Sequence, residues 1–148
     1  MKGVRLLIVL VSLTFGLHSC VYSFLKKSDA YKEMNNQQYH SEITEGRVEN
    51  SINILDIRTT GEYEKSHIEG ALNSSLLNKE FKYKIRSFKI DPNKPTYIYC
   101  ETQHRSHFAA RIMIKKLGFT NIIDLDKGMM RWRKDGLPYI SADTTETK

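Results

Sequence analysis

Cys100 ends a short apolar run, Thr96-Tyr97-Ile98-Tyr99, and is followed by Glu101-Thr102-Gln103-His104 and then by a pattern of helical period that starts near Arg105. Backbone N–H groups at a helix start have no helical partners and carry partial positive charge, so a loop entering a helix can hold an anion. The same field favours thiolate over thiol, and the thiolate is the attacking form of a cysteine. Strand end, loop and helix start together place Cys100 where it could act as a nucleophile. A small buried hydrophobe is the competing role for a cysteine. His104, Arg105 and His107 could add positive charge to this loop, or could be solvated side chains at a helix start.

The elements around Cys100 can be read from periodicity. Ile52-Asn53-Ile54-Leu55-Asp56-Ile57 reads as a buried strand, and the Thr59 and Glu62 that follow suit a helix start. Ala71-Leu72-Asn73 suits a second short strand. Phe81, Ile85 and Phe88 recur at helical spacing within residues 78–88. Pro92 and Pro95 break the chain before residues 96–99, and Phe108, Ala109, Ile112, Met113 and Leu117 line one helix face that Gly118 terminates. A strand over 121–125, a helix over 129–134 and a turn at Gly136-Leu137-Pro138 complete the rhythm. Strands alternating with helices imply an α/β fold, a parallel sheet with helices on both faces, and such sheets bind ligands beyond the carboxyl ends of their strands. Cys100 stands at that end.

The 148 residues suit one domain with short extensions, and 40% hydrophobic content argues for a globular body. The formal charge of +6 is spread through mixed clusters, so nucleic-acid binding has no specific support. Lys2 and Arg5 precede the apolar run from Leu6 to Val11, which reads as a secretory signal over residues 1–19. Leu17-His18-Ser19-Cys20 resembles the lipobox of bacterial lipoproteins, which implies lipid on Cys20 and a periplasmic, membrane-attached protein. An ordinary secretory signal or an uncleaved anchor are the alternatives. Cys20 and Cys100 are the two cysteines of the chain, so lipid on the first leaves the second without a partner. Residues 20–38 read as a tether grading into a short helix, residues 39–140 as the domain and 141–148 as a polar tail.

A series of motifs in order carries a family resemblance: Leu55-Asp56-Ile57-Arg58, Glu62-Tyr63, Ser66-His67-Ile68-Glu69-Gly70-Ala71, Ile98-Tyr99-Cys100 with Arg105-Ser106, Leu117-Gly118-Phe119, and Leu125-Asp126-Lys127-Gly128 with Trp132 and Gly136-Leu137-Pro138. This series resembles a single-domain rhodanese across about residues 50–140. The resemblance implies a five-stranded parallel sheet and a catalytic Cys100 that takes a sulfane sulfur from thiosulfate or a persulfide and passes it to a thiophilic acceptor. Residues 101–106 would form the substrate loop, with no metal or organic cofactor. Asp56 and Arg58 are expected to pair and order the first strand-helix turn, His67 to fix a turn, and Trp132 to pack in the core. A rhodanese-fold binding module without efficient turnover is the second reading.

Cysteine phosphatases place five residues between cysteine and arginine, whereas four residues separate Cys100 from Arg105. The shorter loop favours sulfur over phosphate. Two residues depart from the family's pattern. Glu101 puts an acid where a basic residue is common, which disfavours the thiolate and repels anionic donors. Gln103 stands where glycine is common, which strains the loop if a positive φ is needed. Both departures point towards a protein persulfide or thiol as the physiological partner.

Overall fold

The computed structural model describes residue 23 and residues 28–142 of the chain. The signal segment, Cys20 and residues 143–148 lie outside the described residues. Five parallel strands form the central sheet in the order β1-β6-β5-β2-β4. These are β1 (Tyr31–Met34), β2 (Asn53–Asp56), β4 (Leu72–Asn73), β5 (Thr96–Tyr99) and β6 (Ile122–Leu125). A separate antiparallel pair joins β3 (Ser66–His67) to β7 (Ile140–Ser141). Five helices connect the strands: α1 (Asn36–Val48), α2 (Thr60–Lys65), α3 (Phe81–Ser87), α4 (His104–Leu117) and α5 (Gly128–Lys134).

The period of two in the strands divides the core. Leu55, Ile57, Ile98, Cys100 and Ile122 pack with Phe81 and Ile85 of α3 and Ala109, Ala110 and Met113 of α4. Ile54, Tyr97, Tyr99, Ile123 and Leu125 point the other way, against Tyr39 and Ile43 of α1 and Met129 and Trp132 of α5. Burial on both faces explains why β5 shows no apolar-polar alternation and why β6 interrupts its apolar residues only at Asp124. The registers Ile98↔Leu55 and Ile98↔Asp124 centre β5 between its neighbours. Trp132 is fully buried and donates its indole N–H to the Pro138 carbonyl at 2.9 Å, the packing role expected for it.

The sheet begins earlier than the periodicity indicates. Residues 31–34, expected in the tether, form β1 and pair with β6 from Tyr31↔Ile122 to Met34↔Leu125. Being an edge strand, β1 buries only Met34 fully and keeps Lys32 and Glu33 exposed, so it lacks an apolar signature. Asn35 then caps α1 by accepting from the Gln38 N–H at 3.0 Å. The polar Asn-Gln run is a helix start, extended through 13 residues by the buried Tyr39 and Ile43. At the other end, Ser141 belongs to β7, and the Ala142 N–H bonds the Lys65 carbonyl.

Candidate active site

β5 ends at Tyr99, and Cys100 is fully buried where the chain leaves the sheet towards α4. Two elements fix the loop from the side. The N–H groups of Met129 and Met130, at the start of α5, bond the carbonyls of Cys100 at 2.9 Å and Glu101 at 3.1 Å. Gly128 permits this approach: a Cβ there would lie 2.5 Å from the Cys100 carbonyl oxygen and 2.7 Å from that of Glu101, with φ already at +62°.

Gln103 adopts φ of +74°, the conformation its departure from glycine makes costly. Its carbonyl is held by the Ser106 hydroxyl at 2.7 Å, and its side-chain oxygen accepts from the Lys127 N–H at 3.4 Å. Ser106 also lies 3.9 Å from the Cys100 sulfur. On the exposed rim, Thr102 Oγ1 meets His104 Nδ1 at 3.1 Å.

Glu101 does not present an unbalanced charge. One carboxylate oxygen meets Arg58 Nη1 at 3.0 Å, and the other is bound by Arg133 of α5. Arg58 is itself buried, with Nη2 donating to Asp56 Oδ2 at 2.6 Å and to the Ser66 carbonyl at 2.5 Å. Burial opposes the Arg58 charge, but the Asp56 hydrogen bonds and charge outweigh it and hold its pKa above the ordinary arginine value. The expected Asp56–Arg58 pair is therefore present, and it reaches into the loop through Glu101. The like-charge objection raised by Glu101 is met by two guanidinium groups.

Arg105 is part of a second clamp. Its Nη1 and Nη2 bond Glu62 Oε2 at 2.8 Å and Oε1 at 2.6 Å, a bidentate pair. Glu62 also closes a capping box with Thr59, accepting from its N–H at 3.0 Å and returning its own N–H to Thr59 Oγ1 at 3.3 Å. The Arg105 hydrogen bond, with help from Thr59, lowers the Glu62 pKa to about 2. The Glu62 hydrogen bond raises Arg105 first, and charge at Cys100 adds a smaller contribution in the same direction. His67 stands apart from these clamps: its ring stacks on Tyr63 at 3.9 Å, and its Nδ1 lies 2.9 Å from the Tyr63 carbonyl, which fixes the turn into β3.

In front of the loop, Arg58, Glu62, Lys65, Ser66, Glu101 and Arg133 line an open pocket of about 250 Å³. The two carboxylates are already paired with arginines, whereas Lys65 is exposed and makes no ion pair among the described residues. The pocket is therefore slightly cationic.

Beneath the loop lies a second polar group. Asp124 of β6 is fully buried, and its Oδ2 meets Ser106 Oγ at 2.7 Å and Tyr31 Oη at 2.8 Å. His107 Nε2 lies 3.9 Å from the same oxygen and 3.3 Å from Glu33 Oε1. Burial pushes the Asp124 pKa well above the ordinary aspartate value, against the two hydrogen bonds that lower it.

Glu62, Arg133, Lys65, Asp124 and Tyr31 were not among the site residues expected from the sequence. Glu62 carried a signal as an N-terminal helix acid; the others meet the loop only through tertiary contacts. Among the described residues, no group of three or more His, Cys, Asp or Glu is arranged to hold a metal. No helix among them is long and apolar enough to cross a membrane.

The rhodanese-like domain family matches residues 29–135. The chain belongs to the rhodanese-like family. YrkF of Bacillus subtilis (strain 168) is 42% identical over 82 residues, 55% of this chain and 42% of YrkF. Thiosulfate sulfurtransferase PspE of Escherichia coli (strain K12) is 31% identical over 68 residues, 46% of this chain and 62% of PspE. The chain thus spans about half the length of these curated relatives. Among solved structures, a polysulfide-sulfur transferase homodimer from Wolinella succinogenes shares the rhodanese-like fold, with a TM-score of 0.65 at 19% identity over 86% of this chain and 88% of that one. The family placement identifies the five-stranded parallel sheet as a rhodanese-like sheet.

Proposed function

We propose that this rhodanese-like domain is a sulfurtransferase in which Cys100 carries the sulfur as a persulfide. The observation that carries this reading is the placement of Cys100 at the carboxyl end of β5, within a loop whose carbonyls are pinned by α5 and whose acid is neutralised by Arg58 and Arg133. In the first step the Cys100 sulfur attacks the sulfane sulfur of a donor. Its electron pair forms the new S–S bond, the bond from that sulfur to the donor breaks, and the departing thiolate or sulfite takes the electron pair. An acceptor thiolate then attacks the terminal sulfur, and Cys100 leaves with its original pair. No net oxidant is consumed.

The pocket bears on the partner. Lys65 supplies one uncompensated cation beside two neutralised carboxylates, which suits a singly anionic thiol or persulfide, small or on a protein, better than a compact dianion such as thiosulfate. Incubation of the full chain with a sulfane donor should add one sulfur atom to Cys100 in intact-protein mass spectrometry and nothing to Cys100→Ala. If no donor gives the adduct while a partner still binds Cys100→Ala, the domain is a binding module.

The reading extends to location. Lipid on Cys20 would hold the domain on the periplasmic face of a bacterial membrane. Radiolabelled lipid precursor should enter the wild-type chain and not Cys20→Ser; an unlabelled wild type removes the anchor.

A further inference from the structure

The buried group beneath the loop has a proton count that its distances constrain. Ser106 Oγ lies 2.7 Å from the Gln103 carbonyl oxygen and 2.7 Å from Asp124 Oδ2, both hydrogen-bond distances between oxygens. A hydroxyl has one proton to give, and a carbonyl has none. If Ser106 donates to Gln103, the contact with Asp124 needs a proton on the carboxyl. If Ser106 donates to an ionised Asp124 instead, two bare oxygens face each other at Gln103 and the strained φ of that residue loses its hydrogen bond.

The surroundings agree with the first arrangement. Tyr31 Oη, 2.8 Å from Oδ2, donates to it in either state. Asp124 Oδ1 is buried with no hydrogen-bond partner, which suits the carbonyl oxygen of a neutral acid better than half of a carboxylate. Titratable groups facing Asp124 include Tyr31 and Glu33 from β1, Tyr39 from α1, His107 from α4 and the nearby Asp126. Glu33 and Asp126 oppose a negative charge there, and His107 lies closer to Glu33 than to Asp124.

We propose that Asp124 is a neutral carboxylic acid that donates its proton to Ser106 and, through Ser106, holds Gln103 and the Cys100 loop in their observed shape. The chain of contacts runs from Asp124 to Ser106, and from Ser106 to both the Gln103 carbonyl and the Cys100 sulfur. A neutral acid also keeps a like charge away from the underside of an anionic sulfur. Asp124 is thus a positioning residue for the sulfur-transfer reading given above, on which this role rests.

Two readouts test the role without requiring sulfur transfer. Infrared spectroscopy of the full chain at neutral pH should show a protonated carboxylic acid band that Asp124→Asn removes. Alkylation of Cys100 by iodoacetamide should change about tenfold in Asp124→Ala, as expected for one lost buried hydrogen bond, and stay within about twofold in Asp124→Asn, whose amide N–H can replace the acid proton. Absence of the band, or an Asn variant as altered as the Ala variant, would overturn the proposal. Failure of Cys100 to accept sulfur, with the band and the Asn rescue intact, would instead overturn the sulfurtransferase reading.

Discussion

The two sides of the Cys100 loop solve opposite electrostatic problems. On the rim, Glu101 and Glu62 are partly exposed carboxylates paired with arginines from distant elements, Arg58 and Arg133 for the first and Arg105 for the second. On the floor, Asp124 is fully buried among hydroxyl groups, and burial drives it towards the neutral form. Charge pairing suits the solvated side because water lowers the desolvation cost, while proton retention suits the dry side. One loop is therefore held from above by ion pairs and from below by neutral hydrogen bonds.

Breaking the rim where it enters the core should have the largest effect. Arg58→Ala would leave the fully buried Asp56 uncompensated, and we expect a loss of about 3–5 kcal/mol in urea unfolding. A loss below about 1 kcal/mol would mean that the pair behaves as a surface ion pair.

The floor should show itself in the pH dependence of stability. A raised aspartate pKa means that the folded state keeps a proton that the unfolded chain releases above about pH 4. Stability is then fully present below that value and falls as pH rises towards the folded pKa, by about 1.4 kcal/mol per pH unit while the one-proton difference lasts. Denaturant melts of Asp124→Asn across this window should lack that decline. Parallel profiles for the two proteins would place the charge on Asp124 in the folded state.

How much of this was legible in the sequence depends on how each contact is made. β5, Cys100 and α4 could be read because an apolar strand gives way to a helical stripe ending at Gly118, and each signal is local. At Gln103 only a condition was legible, strain if a positive φ is needed, because glycine is common there in the family, and the structure supplies that φ. β1 was hidden because an edge strand with a single fully buried residue shows no alternation. The neutralisation of Glu101 was hidden for another reason: its partners lie 43 and 32 residues away, a separation that no spacing rule covers. Glu101 therefore looked like a repulsive neighbour of the nucleophile, and the fold supplies the arginines that answer it.

Smaller changes sharpen the same contrast. Gln103→Gly relieves a left-handed conformation at the joint between rim and floor, and it should raise stability by about 1 kcal/mol in chemical denaturation. A destabilised glycine variant would show that the Gln103 side-chain bond to Lys127 outweighs the strain. Glu62→Gln should matter least, by under about 1 kcal/mol near neutral pH, because the pair is partly solvated. With a folded pKa of about 2, Glu62 contributes stability above the ordinary glutamate range and loses it as pH falls through that value, so acid titration of the variant should show a shallower decline than wild type.

Loading of sulfur on Cys100 is the role proposed for the loop between these two supports. Intact-protein mass spectrometry after incubation with a small anionic persulfide reads that loading on the sulfur itself. The expected result is one added sulfur atom that is lost on addition of a thiol acceptor and never appears in Cys100→Ala. An unchanged mass for the folded wild-type chain with every sulfane donor would contradict it.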